Sequence, residues 1–136
     1  MSRKTFYVFG LVVVVLAVLI PWFVFRSDGD AARGDQKVPA DLKEGQSLFQ
    51  TNCGTCHTLY AAGTDGNFAP NLDELLAPNG PAITAEEVKS TKERVLNAVE
   101  HGVDGATTPG RMPAGILNEA QAEEVAEFVA HTAGDG

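Results

Sequence analysis

The stretch NCGTCHTL, residues 52–59, constrains this chain more than any other. It holds both cysteines of the 136-residue sequence, Cys53 and Cys56, and His57 follows the second one directly. Two cysteines placed at random would lie three positions apart, with a histidine next to them, in roughly 3 of 10,000 sequences. The spacing therefore requires a chemical explanation.

Three kinds of site use thiols at this spacing. A structural zinc site needs four ligands, usually from a second pair of Cys or His, and the other histidines, His101 and His131, lie 30 residues apart. A redox dithiol of the thioredoxin type follows a buried strand, and no strand pattern precedes Cys53. Covalent haem attachment fits best, because thiols at i and i+3 reach two porphyrin vinyl groups and His57 becomes the proximal iron ligand.

The residue in the sixth iron position decides between an electron carrier, a gas binder and an enzyme. Apart from Met1 the chain has one methionine, Met112, in the stretch TTPGRMPAG. Pro109 and Pro113 flank it and restrict the backbone, so this loop can hold a thioether in place with little entropy to lose. We predict Met112 as the second axial ligand; the alternative is that it fills space in the core.

The motifs CGTCH, APNL at 69–72 and RMP at 111–113, with a closing amphipathic helix, resemble a class I cytochrome c over roughly residues 38–132. The resemblance implies an all-α fold around one covalently attached haem c. It also implies that the carbonyl of Pro70 accepts a hydrogen bond from the proximal histidine, which orients the imidazole. The predicted haem-binding residues are Cys53, Cys56, His57, Pro70 and Met112, and the predicted iron ligands are His57 and Met112.

Three longer helices are predicted, each from a short polar side chain followed three positions later by Glu or Gln. These starting pairs are Asp41 with Glu44, Thr84 with Glu87, and Asn118 with Gln121. The first helix runs to about Asn52 and the second ends at Gly102. No run shows convincing strand alternation.

Gly45 lies inside the first predicted helix, where glycine costs about 1 kcal/mol relative to alanine. The resemblance accounts for this glycine, because the first and last helices of the family cross closely at a glycine and an aromatic residue. Here those residues are expected to be Gly45 and Phe128.

The segment 59–83 is predicted as loop, apart from a short helix capped by Asn71 with Glu74. Such a long irregular stretch is unusual in a compact domain. A bound haem explains it, because the chain must wrap around an apolar disc that supplies much of the core. The apoprotein is therefore expected to be largely unfolded.

Near the N-terminus, residues 5–25 form an uncharged and mostly apolar run of 21 residues. As a helix this run spans roughly 30 Å, the thickness of the hydrocarbon core of a bilayer. Signal-peptide cores are shorter and end near an A-x-A cleavage site, which is absent here. We predict a retained single-pass transmembrane anchor over 1–26, a flexible linker over 27–40 and a haem domain over 41–136. A cleaved signal peptide is the alternative.

Basic residues flank the run on both sides, so charge does not decide how the predicted helix is oriented in the membrane. They are Arg3 and Lys4 before it, and Arg26, Arg33 and Lys37 after it. The resemblance does decide, because bacterial haem c is attached on the outer side of the cytoplasmic membrane. The haem domain is therefore expected in the periplasm or an equivalent extracytoplasmic space.

The charge of the chain bears on its partners. All 18 acidic residues follow residue 26, against seven basic ones, which gives that part a formal charge of −11. Nucleic acid and anionic lipid are poor partners for such a surface, whereas a redox protein with a basic docking patch is suitable. Solubility alone is the alternative explanation. His101, His131 and Arg111 are predicted as ordinary surface residues, with His101 as the alternative sixth ligand.

Filled axial positions leave no place for a substrate, so the sequence predicts a carrier and not an enzyme. We expect a membrane-tethered monohaem c-type cytochrome that carries single electrons between respiratory or photosynthetic complexes. Two alternatives stay open. One is a haem-bearing subunit of a larger oxidoreductase, and the other is a haem sensor or peroxidase in which Met112 is displaced from the iron.

Overall fold

The computed structural model describes residues 3–26, 38–105 and 111–136. The chain divides into two units, Met1–Asp35 and Gln36–Gly136. The first unit contains helix α1, Arg3–Arg26, which covers the apolar run and has Pro21 inside it. Among the described residues, no helix combines the length and hydropathy needed to cross a bilayer. The membrane anchor stays a prediction, and all but the last three residues of the predicted linker lie outside the described residues.

The second unit is mostly helical. In chain order its described elements are α2 (Lys43–Asn52), β1 (Thr58–Leu59), β2 (Thr64–Asp65), α3 (Leu72–Leu76), α4 (Ala85–His101) and α5 (Glu119–Thr132), with 3₁₀ turns at Ala40–Leu42 and Tyr60–Ala62. The two strands form an antiparallel ribbon in which Thr58 lies opposite Asp65. The all-α prediction omitted this ribbon, because strands of two residues are too short to show alternation.

Two of the three predicted helix starts are confirmed. The Thr84 hydroxyl accepts a hydrogen bond from the Glu87 backbone N–H at 3.2 Å, and the Glu87 carboxylate accepts one from the Thr84 N–H at 3.0 Å. Asn118 and Gln121 make the same reciprocal pair at the start of α5. Each pair satisfies backbone donors that the first helical turn leaves free.

The predicted capping box of Asp41 and Glu44 is wrong. Helix α2 follows directly from the 3₁₀ turn, and its N-cap residue, Leu42, makes no side-chain capping bond. The Leu42 N–H instead donates to the carbonyl of Pro39 at 3.1 Å. A 3₁₀ bond of this kind occupies backbone groups that a side chain would otherwise cap.

The short helix predicted after Asn71 is present as α3, but its described cap does not include the predicted partner Glu74. The Asn71 side-chain oxygen accepts a hydrogen bond from the Asp73 N–H at 3.0 Å. The predicted end of α4 is also confirmed, because Gly102 is its C-cap residue with a φ of +72°. Glycine adopts this left-handed backbone without the steric cost that other residues meet.

Helices α2 and α5 cross at the predicted glycine and aromatic pair. A Cβ on Gly45 would lie 2.2 Å from the Glu124 carbonyl oxygen and 2.6 Å from the Phe128 Cβ. The Phe49 and Phe128 rings meet edge to face with centroids 6.2 Å apart, and both side chains are buried. The expected close crossing is confirmed, and it accounts for glycine in the middle of a helix.

The core of this unit lies along α5, against which α2 and α4 both pack. As expected for the closing amphipathic helix, α5 has a buried face, which includes Val125, Phe128, Val129 and Thr132. Helix α4 differs, since Val99 is its one buried residue among those described. Its partly buried Val95 lines a cavity together with Val99, and this cavity contains the predicted site.

Candidate haem-binding site

A cavity of about 490 Å³ lies among residues of α2, α3, α4, α5 and the segments that follow β2 and α4. Cofactor sites commonly have volumes of about 300–1,000 Å³ and apolar walls. Four apolar wall residues, Phe68, Leu75, Val103 and Ile116, are between 38% and 52% exposed. Apolar side chains that stay exposed around a concave site fit an apolar occupant, which would remove them from water.

All five predicted site residues lie on the wall of this one cavity. They are Cys53, Cys56, His57, Pro70 and Met112. The first three follow α2, Pro70 precedes α3, and Met112 belongs to the segment after α4. The fold therefore brings together residues that are up to 59 positions apart in the sequence.

The CxxCH segment is a hydrogen-bonded turn that continues helix α2. The N–H groups of Cys56 and His57 both donate to the carbonyl of Cys53, at 3.0 and 2.9 Å. The Cys53 N–H donates in turn to the carbonyl of Phe49 at 2.8 Å, as in a further helical turn. Because the turn is closed, both thiols are presented to the same cavity.

His57 has its imidazole orientation and tautomer set by Pro70. The His57 Nδ1 lies 2.9 Å from the Pro70 carbonyl oxygen. A carbonyl oxygen only accepts hydrogen bonds, so Nδ1 must carry the proton in the neutral ring. The lone pair is then on Nε2, the nitrogen that can coordinate a metal. The hydrogen bond implied by the family resemblance is thus present.

The Cys53 thiol is unlike the thiols of redox dithiols. Burial raises the pKa of Cys53 to about 11, with Cys56 as the smaller cause. Redox dithiols have lowered pKa values, and a structural zinc site needs four ligand side chains. In the described part of the chain, no three His, Cys, Asp or Glu side chains group together to hold a metal ion. Both alternatives therefore fit this site less well than haem attachment.

The sequence did not identify the residues that contact the backbone of the CxxCH turn. The Thr64 hydroxyl donates to the His57 carbonyl at 3.0 Å and accepts from the Leu59 N–H at 3.1 Å. A Cβ on Gly66 would lie 2.5 Å from the Cys56 carbonyl carbon and 2.7 Å from the His57 nitrogen. Glycines near a threonine predict a turn, but they do not say which backbone the turn contacts.

Helix α2 is tied to the same region by two glutamines. The Gln46 and Gln50 side-chain amides donate to the carbonyls of Ala61 and Ala62, each at 2.8 Å. These bonds connect the helix that precedes the motif to the 3₁₀ turn between the strands. Nothing in the spacing of the glutamines indicated this role.

Met112 is positioned through its backbone. Met112 and Val103 exchange two hydrogen bonds, at 3.0 and 3.1 Å, and so form an isolated antiparallel bridge. A Cβ on Gly102 would lie 2.6 Å from the Met112 carbonyl oxygen, so glycine is needed there for contact as well as for its φ. The predicted contribution of Pro109 lies outside the described residues. The bridge, which the sequence did not indicate, places Met112 on the cavity wall.

The other two histidines lie away from the described wall. His101 is exposed, with Nδ1 3.2 Å from the Asn97 carbonyl oxygen, and His131 pairs with the Glu127 carboxylate at 3.0 Å. The structure therefore does not bring His101, the alternative sixth ligand, to the cavity. Both residues have the surface roles that the sequence predicted.

Comparisons with known proteins identify a haem protein family. A family model described as cytochrome c matches residues 42–133. Among solved structures the chain is similar to the c-type cytochrome SorU from Sinorhizobium meliloti, with 34% sequence identity and a TM-score of 0.51. That match covers 69% of this chain and 92% of the SorU chain. No curated protein matches the chain.

Proposed function

The chain belongs to the cytochrome c family and carries covalently attached haem c, and we propose that it is a one-electron carrier with His57 and Met112 as iron ligands. The observation that carries the proposal is the His57–Pro70 hydrogen bond, which leaves Nε2 free, in a cavity that Met112 also lines. Haem c supplies a one-electron couple to such a site. A site with both axial ligands from the protein has no open coordination position for a substrate.

Each residue of the site has a defined task in this proposal. Cys53 and Cys56 hold the haem through thioether bonds, and the closed turn between them fixes their separation. His57 coordinates through Nε2, and its bond to Pro70 keeps the ring in one orientation. Ligation by Met112 together with His57 would raise the reduction potential of the iron. The apolar walls exclude water, which limits solvent reorganisation when the electron is transferred.

Replacing Met112 tests the carrier against the sensor or peroxidase alternative. The oxidised wild-type protein should show the weak sulfur-to-iron charge-transfer band in the red, and its reduced form should bind carbon monoxide poorly. Met112→Ala should lose the band and bind carbon monoxide avidly, while His101→Ala should behave as the wild type. A wild-type protein without the band that binds carbon monoxide avidly would instead support the sensor or peroxidase.

The proposal includes a membrane tether with the haem domain on the outer side of the cytoplasmic membrane. Its support is the uncharged and mostly apolar run of 21 residues at 5–25, which as a helix would extend roughly 30 Å. Membranes from cells that express the full chain should retain haem through an alkaline wash. A variant without residues 3–26, exported by a cleavable leader, should be found in the periplasmic fraction. Release of the full chain by the wash would contradict the tether.

The proposed partners are redox proteins with basic docking patches. The support is the formal charge of −11 after residue 26, which favours encounter with positively charged surfaces. The rate of electron exchange with a basic redox protein should fall as salt is added, and exchange with an acidic one should not. Sizing after gentle detergent extraction distinguishes a free carrier, which migrates alone, from a subunit of a larger complex.

A further inference from the structure

Arg94 is a cation of the haem cavity for which the proposed function has no role. It lies on α4, one position before Val95, and it lines both the haem cavity and a second cavity of about 400 Å³. The second cavity lies between α4, the end of α5 and the segment 76–82. Arg94 therefore lies at the boundary between the two cavities, on a helix that packs against the core.

The charge of the haem cavity wall is concentrated in very few groups. Among the described wall residues, the side chains that carry a full charge at neutral pH are Arg94, Asp104 and Arg111. Arg111 and Asp104 neutralise each other in an ion pair of 2.7 Å. Arg94 is left as the uncompensated charge on this wall, so the wall is net positive although the whole chain has a formal charge of −8.

Arg94 also differs from Lys92, the cation two positions earlier in α4. Lys92 makes ion pairs with Glu123 at 2.7 Å and with Glu127 at 2.8 Å. Within residues 38–105 and 111–136, the Arg94 side chain makes neither an ion pair nor a hydrogen bond. A guanidinium is a rigid fork of donors that matches a carboxylate with two parallel bonds. The Arg94 guanidinium is thus able to bind a carboxylate, and no described residue supplies one to it.

Haem c has two propionate side chains, and these are its anionic substituents. We propose that Arg94 binds a haem propionate and thereby raises the reduction potential of the iron. A propionate charge near the iron favours the oxidised form, and a guanidinium paired with it offsets that effect. This inference rests on the haem site of the proposed function. It assigns the role to Arg94 and not to Arg111, because Arg111 already has a carboxylate partner.

The test is the reduction potential of holoprotein at low ionic strength for the wild type, Arg94→Gln and Arg94→Lys. Lys43→Gln is the matched control, because Lys43 is exposed, lines neither cavity and makes no described ion pair. Arg94→Gln should move the redox equilibrium about two- to fivefold toward the oxidised form, because the propionate charge would no longer be offset in a partly exposed site of high effective dielectric. Arg94→Lys should give a smaller shift, and Lys43→Gln less than half of the Arg94→Gln shift. Equal shifts in Arg94→Gln and Lys43→Gln would overturn the proposal.

A spectroscopic measurement covers the case in which Arg94→Gln does not assemble. Infrared spectra of protein with ¹³C-labelled propionates should show a carboxylate band that moves between the wild type and Arg94→Lys. An unmoved band would overturn the proposal. The red charge-transfer band is recorded on the same samples, and it reports Met112 ligation separately. Loss of that band in the wild type would count against the proposed function, whereas its retention with no change in potential or carboxylate band would count against the role of Arg94 alone.

Discussion

The two sides of the cavity are held in different ways. The proximal segment, residues 53–70, is fixed by side-chain and backbone bonds that include Thr64 to His57 and Pro70 to His57. The distal segment, described over residues 99–105 and 111–115, is held mainly by backbone bonds, from Met112 to Val103 and from Gly115 to Val99. Each side also has one glycine, Gly66 or Gly102, pressed against the backbone next to its ligand.

This difference predicts that the bond from Met112 to the iron breaks more easily than the bond from His57. Proximal contacts come from several elements, so the loss of one leaves the others in place. The distal bridge depends on the end of one helix, and the ion pair beside it, Arg111 with Asp104, is about 80% exposed on both sides and stabilises little. We infer that the proximal side fixes the fold around the haem, whereas the distal side adjusts or opens with modest free-energy changes.

Gly66→Ala should have the largest effect, because it places a Cβ 2.5 Å from backbone that cannot move without displacing Cys56 and His57. We expect it to lower the free energy of unfolding by about 3 kcal/mol or more, measured by denaturant titration of the holoprotein. Gly80→Ala is the control, since its Cβ meets open space and only the φ of +103° is strained; we expect a loss of about 1–2 kcal/mol. Equal losses of unfolding free energy in the two variants would show that the close backbone contact at Gly66 is not important for stability.

Gly102→Ala should affect the distal side selectively. Its Cβ would lie 2.6 Å from the Met112 carbonyl oxygen, and its φ of +72° disfavours alanine, so we expect a loss of about 2 kcal/mol in unfolding free energy. The covalent haem should remain, while the red charge-transfer band weakens and carbon monoxide binding to the reduced form increases. A variant that keeps the full band and still excludes carbon monoxide would show that the distal bridge does not position Met112.

Thr64→Val should have an intermediate effect, because it keeps the side-chain shape and removes the hydroxyl that serves both His57 and Leu59. Two backbone groups then lose a partner, and we expect a loss of about 1–2 kcal/mol in unfolding free energy. The charge-transfer band should stay, because the remaining proximal bonds hold the imidazole. Loss of the band would show that the remaining proximal bonds do not hold the imidazole in place without the Thr64 hydroxyl.

Glu127→Gln should have the smallest effect, because this residue lies outside both segments. Lys92, followed by the minor contribution of His131, holds the pKa of Glu127 below its ordinary value of 4.5. A lowered carboxylate pKa stabilises the fold above pH 4.5, and this contribution disappears as the pH falls through the lowered value.

Because the Glu127 side chain is 40% exposed, we expect only about 0.5 kcal/mol in unfolding free energy. The unfolding free energies of the wild type and the variant should therefore differ at pH 6 and converge as the pH falls below the lowered pKa of Glu127, with no change in the haem spectrum. Glu93→Gln, whose partner Lys89 is 3.9 Å away, should differ from the wild type by less. A difference that grows as the pH falls would contradict the assigned cause.

The sequence predicted the parts of this fold that depend on short-range chemistry. Cysteine spacing indicated the cofactor, two capping boxes located the starts of α4 and α5, and Gly45 indicated a close helix crossing. The false capping box at Asp41 shows the limit of such patterns, because a 3₁₀ turn occupied the same backbone groups. The membrane anchor, the flexible linker and the partners stay predictions.

The sequence could not predict which distant backbone groups meet. The contacts of Thr64 and Gly66 with the CxxCH turn depend on how a short ribbon folds back, and two-residue strands have no readable period. The bridge between Met112 and Val103 is likewise set by tertiary contact. For the same reason the sequence did not indicate that Arg94 lines the cavity, because that depends on how α4 packs in the fold.

Nuclear magnetic resonance of methyl-labelled methionine in the reduced protein tests the central claim most directly. The chain has two methionines, so Met1 serves as an internal reference for Met112. A methyl group bound over the face of a porphyrin is shifted far upfield by the ring current. The account predicts one methyl signal at the ordinary position and one far upfield; two signals at ordinary positions would show that Met112 does not bind the iron.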